Sequence, residues 1–429
     1  MARFLAIWLG ATLAIAAAVL ALNLAVDPYG IFGSPRIAGL NRDKVAAIDW
    51  PRLAKPYLLE MTQPGAVVFG TSPCDVGFDP ESPAWPTRLR PVFNMSMDGG
   101  GLGELLLFER DVFAVSSPKL VLICATLEDT VTMPPAAPVD GAAAPPPAPS
   151  NNELLRLRVG PSGQPNPGYR WARFQDALLA LLSMQATSNS LRTLVSQSDP
   201  DRNFESPLGW LSAGKFGLWA RTEGFYSLVT TKDHDHAAKF LAWSRQPRFY
   251  VDELAEMIAL ARDHGAEVAV MILPNYQDQM EIYRQLGLIG DYERWKTRVT
   301  EVVADAAQKH GGTMLWDFSG FSRYTTEPLP ARGDHTTRMH WFWEQIHFQP
   351  ELGALMVERV TGGGPPDLGV VLTPGNLAQQ LATYREAQRA WVASHPRDVE
   401  RVAGIIADAR REACLAHPAN CAEKVAGSP

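Results

Sequence analysis

Histidine and cysteine are scarce in this chain, nine and four residues among 429, and there is no excess of positive charge. The formal net charge is −7 with 20% charged residues. That balance excludes the clustered basic face on which nucleic-acid binding depends. No glycine-rich loop is placed to cradle phosphates and no cluster has convincing metal-ligand spacing, so neither a cofactor nor a metal is expected. The spacing of Cys414 and Cys421 is wrong for a two-residue metal knuckle. Cys414 and Cys421 bracket a six-residue LAHPAN loop, a spacing suited to a small disulfide in an oxidising compartment. Cys124 lies in an apolar strand and reads as core. Cys74, two residues after Ser72, reads as packed or paired rather than as a reactive thiol. Disorder is excluded too, because aliphatic and aromatic residues suffice for a globular core. The length alone allows roughly two or three domains.

One long hydrophobic run is present. Residues 4–26 carry no charge, and Asn23 is their one strongly polar residue. As a helix the run spans about 35 Å, enough to cross a hydrocarbon core. Arg3 precedes it and Asp27 follows, which favours a cytoplasmic N-terminus and a body outside the cytoplasm. A cleaved signal peptide is the rival reading. The run is longer than a usual signal core, and no clean Ala-x-Ala site closes it. An uncleaved anchor is therefore expected over residues 1–26.

A polar, proline-punctuated connector follows at 27–63, with a short helix at 56–61. Strands are expected at 66–70, 91–95, 119–125, 267–273 and 313–317, the first of them buried and too short and too β-branched for a helix. Helical patterns separate them at 104–115, 250–264, 292–310 and 350–360. This alternation predicts an α/β domain at 64–362, with a five-stranded parallel sheet between two helical layers. A Pro/Ala tract at 134–152 and an insertion over about 131–248 interrupt it. The insertion carries a helix at 169–196 and aromatic-rich loops around Trp210, Trp219 and Phe225. The DHDH run at 233–236 reads as a solvated polar turn rather than a metal site. Residues 363–429 form a helical tail, with helices at 374–394 and 396–414 packing on the core.

The stretch VVFGTSPCDVG, residues 67–77, concentrates the chemistry. A strand meets Gly70, a tight turn follows, and Pro73 suits the start of a helix. Ser72 then sits at the carboxyl edge of the sheet, where open α/β sheets place their ligands. Its own backbone N–H points into that edge. The bland alternative is a helix-capping serine. A serine nucleophile needs a base and an orienting acceptor. His347, in WFWEQIHFQPELG after the last parallel strand, is the base that stands out, and Glu344 lies three residues before it. Trp341, Phe342, Trp343 and Phe348 surround the pair. A capping histidine in an aromatic cluster is the competing reading.

Together GTSPCDVG and E-Q-I-H resemble the SGNH (GDSL-like) hydrolase superfamily, which has a G-x-S nucleophile block after its first strand and a late D-x-x-H. The FNMSMDGG stretch resembles the family's second block. The resemblance covers roughly residues 64–130 and 250–362. It implies a flavodoxin-like three-layer fold and a catalytic triad of Ser72, His347 and Glu344. The implied oxyanion hole draws on Ser72 and on Gly99 or Gly100, with Asn94 as a substitute donor. That substitute is called for because the family's Gly-x-Asn-Asp block is missing from ATLEDT, after Cys124. Glu344 stands where the family has Asp, so Asp317 and Asp334 remain alternative acids. Trp341, Trp343 and Phe348 would stack on sugar rings.

An anchor joined to such a domain is similar to envelope proteins of alginate O-acetylation and teichoic-acid D-alanylation. By that resemblance the chain is a single-pass inner-membrane protein with a periplasmic serine acyltransferase or esterase domain. Its substrate would be a cell-envelope polysaccharide or acyl ester, with a membrane acyltransferase as a possible partner. An inactive scaffold in an export assembly, and a lipid or thioester hydrolase, are the alternatives.

Overall fold

The computed structural model describes residues 1–131, 155–241 and 249–416. The Pro/Ala tract and Cys421, and with it the expected Cys414–Cys421 pair, lie outside these residues.

Helix α1 (Ala2–Val26) is long and apolar enough to cross a membrane. It stops at Asp27, which takes a left-handed conformation. The Asp27 carboxylate accepts hydrogen bonds from the Ile31, Phe32 and Ser34 amides. The stretch after it is no loose connector. Lys44 Nζ donates to Val26 O at 2.7 Å and Asn41 Nδ2 to Ala25 O at 2.9 Å, so the end of α1 is tied into the body. Helix α2 (Pro51–Thr62) then leads to the sheet.

The parallel strands are β1 (Ala66–Phe69), β2 (Val92–Asn94), β3 (Leu120–Ala125), β4 (Glu267–Ile272) and β5 (Thr313–Asp317). Successive residues on each point to opposite faces, and both faces are covered. Val67, Phe69, Val121, Ile123, Val268 and Val270 enter one apolar cluster; Ala66, Val68, Leu120, Leu122, Ala269 and Met271 enter the other. Burial on both sides is why these strands are nearly unbroken runs of apolar residues. Helices α3 (Ser72–Gly77), α4 (Leu102–Val115) and, from the insertion, α5 (Tyr169–Leu182), α6 (Met184–Ser196), α7 (Gly214–Thr222) and α8 (Gly224–Leu241) precede β4. Helix α9 (Asp252–Asp263) leads into β4, α10 (Gln277–Leu286) and α11 (Ile289–His310) into β5, and α12 (Pro350–Val360) follows it.

The sheet has six strands rather than five. A two-residue strand, β6 (Val370–Val371), pairs antiparallel with β5, giving the order β2-β1-β3-β4-β5-β6. Two residues carry no periodicity, so no sequence signal precedes them. The expected helix at 169–196 is two helices, because Ser183 is extended and its hydroxyl accepts from the Ala186 amide as the cap of α6. The tail forms α13 (Leu377–Ser394) and α14 (Pro396–Ala416), which bury Tyr384, Trp391, Val402 and Ile406. The DHDH run is not a solvated turn. It lies within α8, where Asp233 is fully buried and receives Arg401 Nη1 at 3.2 Å.

Candidate active site

The parallel order 2-1-3-4-5 reverses direction between β1 and β3, the switch point at which doubly wound sheets open a crevice. Gly70 follows β1 there. A Cβ on it would fall 2.7 Å from Cys124 Cβ and 2.8 Å from Cys74 Cβ. This close approach lets Cys74 of α3 join Cys124 of β3 in a disulfide, Cα to Cα 6.7 Å. Cys74 is therefore paired, and Cys124 is its partner rather than plain core.

Ser72 opens α3 and is half-buried, facing a cleft of about 170 Å³. The cleft is walled by loops leaving four strand ends. Thr71 and Ser72 follow β1, Gly99 follows β2, Thr126 and Asp129 follow β3, and Asn275 follows β4. Thr71 Oγ1 donates to Asp129 Oδ2 at 2.7 Å and Thr126 Oγ1 donates to the same oxygen at 2.6 Å. Burial pushes the Asp129 carboxyl up to about 6, against the lowering effect of the two hydroxyls.

Ile346 closes the cleft from the opposite side, one residue before His347. The segment that carries both is a pinned hairpin. Phe342 bridges Phe348, and the Trp343 amide donates to His347 O at 2.8 Å. At its base the Glu327 carboxylate accepts from the His340, Trp341 and Phe342 amides at 2.7, 2.8 and 3.0 Å. At its tip the Tyr276 amide, just past β4, donates to Gln345 O at 2.8 Å. Glu344 is buried, and its Oε1 accepts from both the His347 amide (2.9 Å) and His347 Nδ1. Burial raises the Glu344 carboxyl, but the adjacent His347 more than reverses this and holds it down at about 2. An ionised Glu344 on Nδ1 leaves Nε2 as the free basic nitrogen, and Nε2 hydrogen-bonds to none of the described residues.

Close backbone contact ties the two halves together. A Cβ on Gly77, the last residue of α3, would lie 2.1 Å from Phe348 Cε2, and one on Gly353 of α12 would lie 1.9 Å from Gly77 O. Helix α3 and the segment after His347 thus touch where only glycine fits. Ser72 Oγ itself makes no hydrogen bond to His347 or to any other described residue.

The four expected oxyanion donors divide. Ser72 and Gly99 line the cleft, and their amides hydrogen-bond to none of the described residues. Gly100 does not serve, because its amide closes a turn onto Met97 O at 3.0 Å. Nor does Asn94. Its Nδ2 donates to Cys74 O at 2.9 Å and Phe78 O at 3.0 Å, while its Oδ1 accepts from the Ser96 amide at 3.0 Å. It is fully buried and braces α3 from below.

The expected sugar-stacking aromatics are also elsewhere. Phe348 is fully buried, packed edge-to-face on Phe78 at 5.3 Å. Trp343 is stacked between Phe216 and Phe225, and Trp341 packs against Tyr324. None of the three lines the cleft. The alternative acids are occupied too: Asp317 holds Lys296 at 2.8 Å, and Asp334 accepts from the Thr336 and Thr337 amides in an exposed turn.

Sequence reasoning missed Asp129, Thr126 and Asn275. The ATLEDT segment lacks the Gly-x-Asn-Asp pattern, yet its position just past β3 was the available signal, since loops at that edge face the crevice. The Asn275 side chain hydrogen-bonds to none of the described residues. Among the described residues, no three His, Cys, Asp or Glu side chains are grouped to hold a metal ion. Comparisons with protein-family models, curated proteins and solved structures find no match to this chain.

Proposed function

We propose that the chain is a membrane-anchored, extracytoplasmic serine enzyme that takes a short acyl group as an ester on Ser72 and passes it to a hydroxyl of an envelope polysaccharide, or to water. His347 Nε2 takes the Ser72 proton as Oγ attacks the acyl carbonyl. Glu344 fixes the imidazole tautomer and stabilises the imidazolium that forms. The oxyanion falls to the Ser72 and Gly99 amides, with the Asn275 side chain as the third donor that the family resemblance calls for. His347 then returns its proton to the departing alkoxide, and the acceptor hydroxyl or water repeats the sequence in reverse.

The observation that carries this reading is the buried Glu344 on His347 Nδ1, one residue from the wall of the cleft that Ser72 enters. A pocket of about 170 Å³ suits an acetyl-sized group better than a long acyl chain. The Cys74–Cys124 disulfide suits an oxidising, extracytoplasmic compartment.

One observation favours a second reading, a catalytically silent scaffold of the same architecture: Ser72 Oγ does not hydrogen-bond to His347. Catalytic contacts are often long before substrate binds, and no static contact distinguishes an active serine from a silent one as its reactivity does. A serine-directed fluorophosphonate does. Labelling of the full chain that is abolished in Ser72→Ala and in His347→Ala is the expected result. No labelling of the wild type, or labelling that survives in Ser72→Ala, overturns the enzyme reading. Acetyl-ester turnover with and without an oligosaccharide acceptor then separates transfer from hydrolysis.

A further inference from the structure

Helices α5 and α6 are amphipathic in the inverted sense. On α5 the outward stripe is Trp171, Phe174, Leu178 and Leu182, at spacings of three, four and four residues, whereas Ala172, Asp176 and Ala180 face inward. On α6 the exposed residues include Met184, Leu191 and Val195, and the buried ones are Ala186, Asn189, Ser190 and Thr193. The exposure is large: 61% for Trp171, 56% for Phe174, 90% for Met184 and 76% for Val195. Helices that face water show the opposite pattern. A contiguous apolar face of this kind marks an interaction surface.

The position of α1 identifies the occupant. Asn23, near its end, donates to Leu181 O at 2.9 Å and Thr187 Oγ1 at 3.1 Å, and Ser190 Oγ donates back to Asn23 Oδ1 at 2.8 Å. The corner between α5 and α6 is thereby locked against α1 at the level of Asn23. Residues 2–22 lie beyond that lock, and at 1.5 Å per residue they span about 32 Å, close to the thickness of a hydrocarbon core. The corner therefore sits where α1 leaves the lipid, with Met184 and Leu182 at its tip. Trp171 and Trp50, the latter 46% exposed and edge-on to Tyr29 just past the end of α1, suit the aromatic belt of that boundary. Three of the arginines nearby are already paired, Arg156 with Asp176, Arg173 with Glu60 and Arg192 with Asp49, and Arg170, exposed at the start of α5, is the one arginine on the two helices without an ion pair to the described residues, so the surface attracts lipid mainly by apolar contact.

We propose that α5 and α6 lie in the membrane surface, their apolar stripes sunk to the boundary of headgroups and acyl chains, so that the catalytic body is seated on the bilayer rather than swinging from its anchor. The proposal rests on α1 crossing the membrane but not on the chemistry of Ser72. It is tested with the full chain in phosphatidylcholine nanodiscs, using a nitrobenzoxadiazole reporter on Leu178→Cys, Val195→Cys, Ile15→Cys in α1, or Glu301→Cys on α11. Quenching by a phospholipid with a doxyl group near the top of its acyl chain should be several-fold stronger at 178 and 195 than at 301, and insensitive to salt. If 178 and 195 are quenched no more than 301 while Ile15→Cys is quenched, the two helices face water, as a surface for a soluble protein partner would in a lipid-only sample, and the proposal falls. If Ile15→Cys is also unquenched, the anchor falls with it. Ser72 labelling in the same discs reports separately on the catalytic reading.

Discussion

Ser72 and Asp75 are one turn apart on the same six-residue helix and live in opposite electrostatic worlds. Ser72 is half-buried, opens onto a cleft, and its hydroxyl hydrogen-bonds to none of the described residues. Asp75 is sealed in. Lys55 Nζ lies 2.8 Å from its Oδ1 and 3.5 Å from Glu205 Oε1, and it also donates to Ser96 O at 2.5 Å, all three side chains being buried. Burial pushes the carboxyls of Asp75 and Glu205 up, against the pull of Lys55. The same helix thus presents one polar group with unmet hydrogen bonds to a crevice, and locks another into a closed ionic knot. The difference separates the group the helix offers to the crevice from the group that holds it in place.

The contrast breaks most sharply at the hydroxyl. Ser72→Ala should lower ester turnover by about 10⁴-fold or more, the scale of losing a triad nucleophile. The same change should move unfolding stability by less than about 0.5 kcal/mol, since no hydrogen bond is lost. Denaturant unfolding beside turnover measures both; a large stability loss would make Ser72 structural.

Lys55→Met should do the reverse on stability. Removing one partner of a buried pair leaves uncompensated carboxylates and costs about 3–5 kcal/mol. Because Asp75 and Glu205 can then take up protons, the deficit should shrink as pH is lowered. A deficit independent of pH would mean that packing, not charge, is what Lys55 supplies.

Gly77→Ala probes the seam between the two regions. Its new methyl would overlap Phe348, an overpacking worth about 1–3 kcal/mol. It should also reduce turnover by separating α3 from the His347 hairpin, so kcat falls more than KM rises. An equal stability loss with unchanged kcat would show that the seam does not position Ser72.

The last effect is read as a pH dependence, at Glu344. Its folded pKa of about 2 lies below the ordinary 4.5, so its contribution to stability is present above about pH 4.5 and is lost as pH falls toward 2. The stability difference between wild type and Glu344→Gln should therefore narrow across that window. A difference that stays flat there would remove the Glu344–His347 charge interaction from the account.

Much of the layout is legible in the sequence. The four longer parallel strands fall within a residue or two of their apolar runs, because double burial writes itself as unbroken Val, Ile and Leu. Ser72, Glu344 and His347 stood out because strand ends and short spacings are local facts. The knot of Lys55, Asp75 and Glu205, the Asp129 cluster and the brace at Asn94 were not legible, since apart from Thr126 beside Asp129 and Ser96 beside Asn94 their partners lie 16 to 150 residues apart and no local pattern pairs them. The sugar-stacking role for Phe348 failed for the same reason: an aromatic beside a catalytic candidate reads the same whether it faces the cleft or the core.

What the sequence alone determined is periodic or contiguous: an apolar helix long enough for a membrane, a parallel α/β sheet, and the strand end that carries Ser72. Burial has a period, and period survives in one dimension. What only the tertiary structure decided is which polar groups have partners. Gly100 and Asn94 are occupied while Gly99 and Ser72 are open, and the outward faces of α5 and α6 are apolar while their inward faces are small and polar. Partnership is a matter of distance in space, and a chain of this length brings together residues whose separation along it says nothing about that distance.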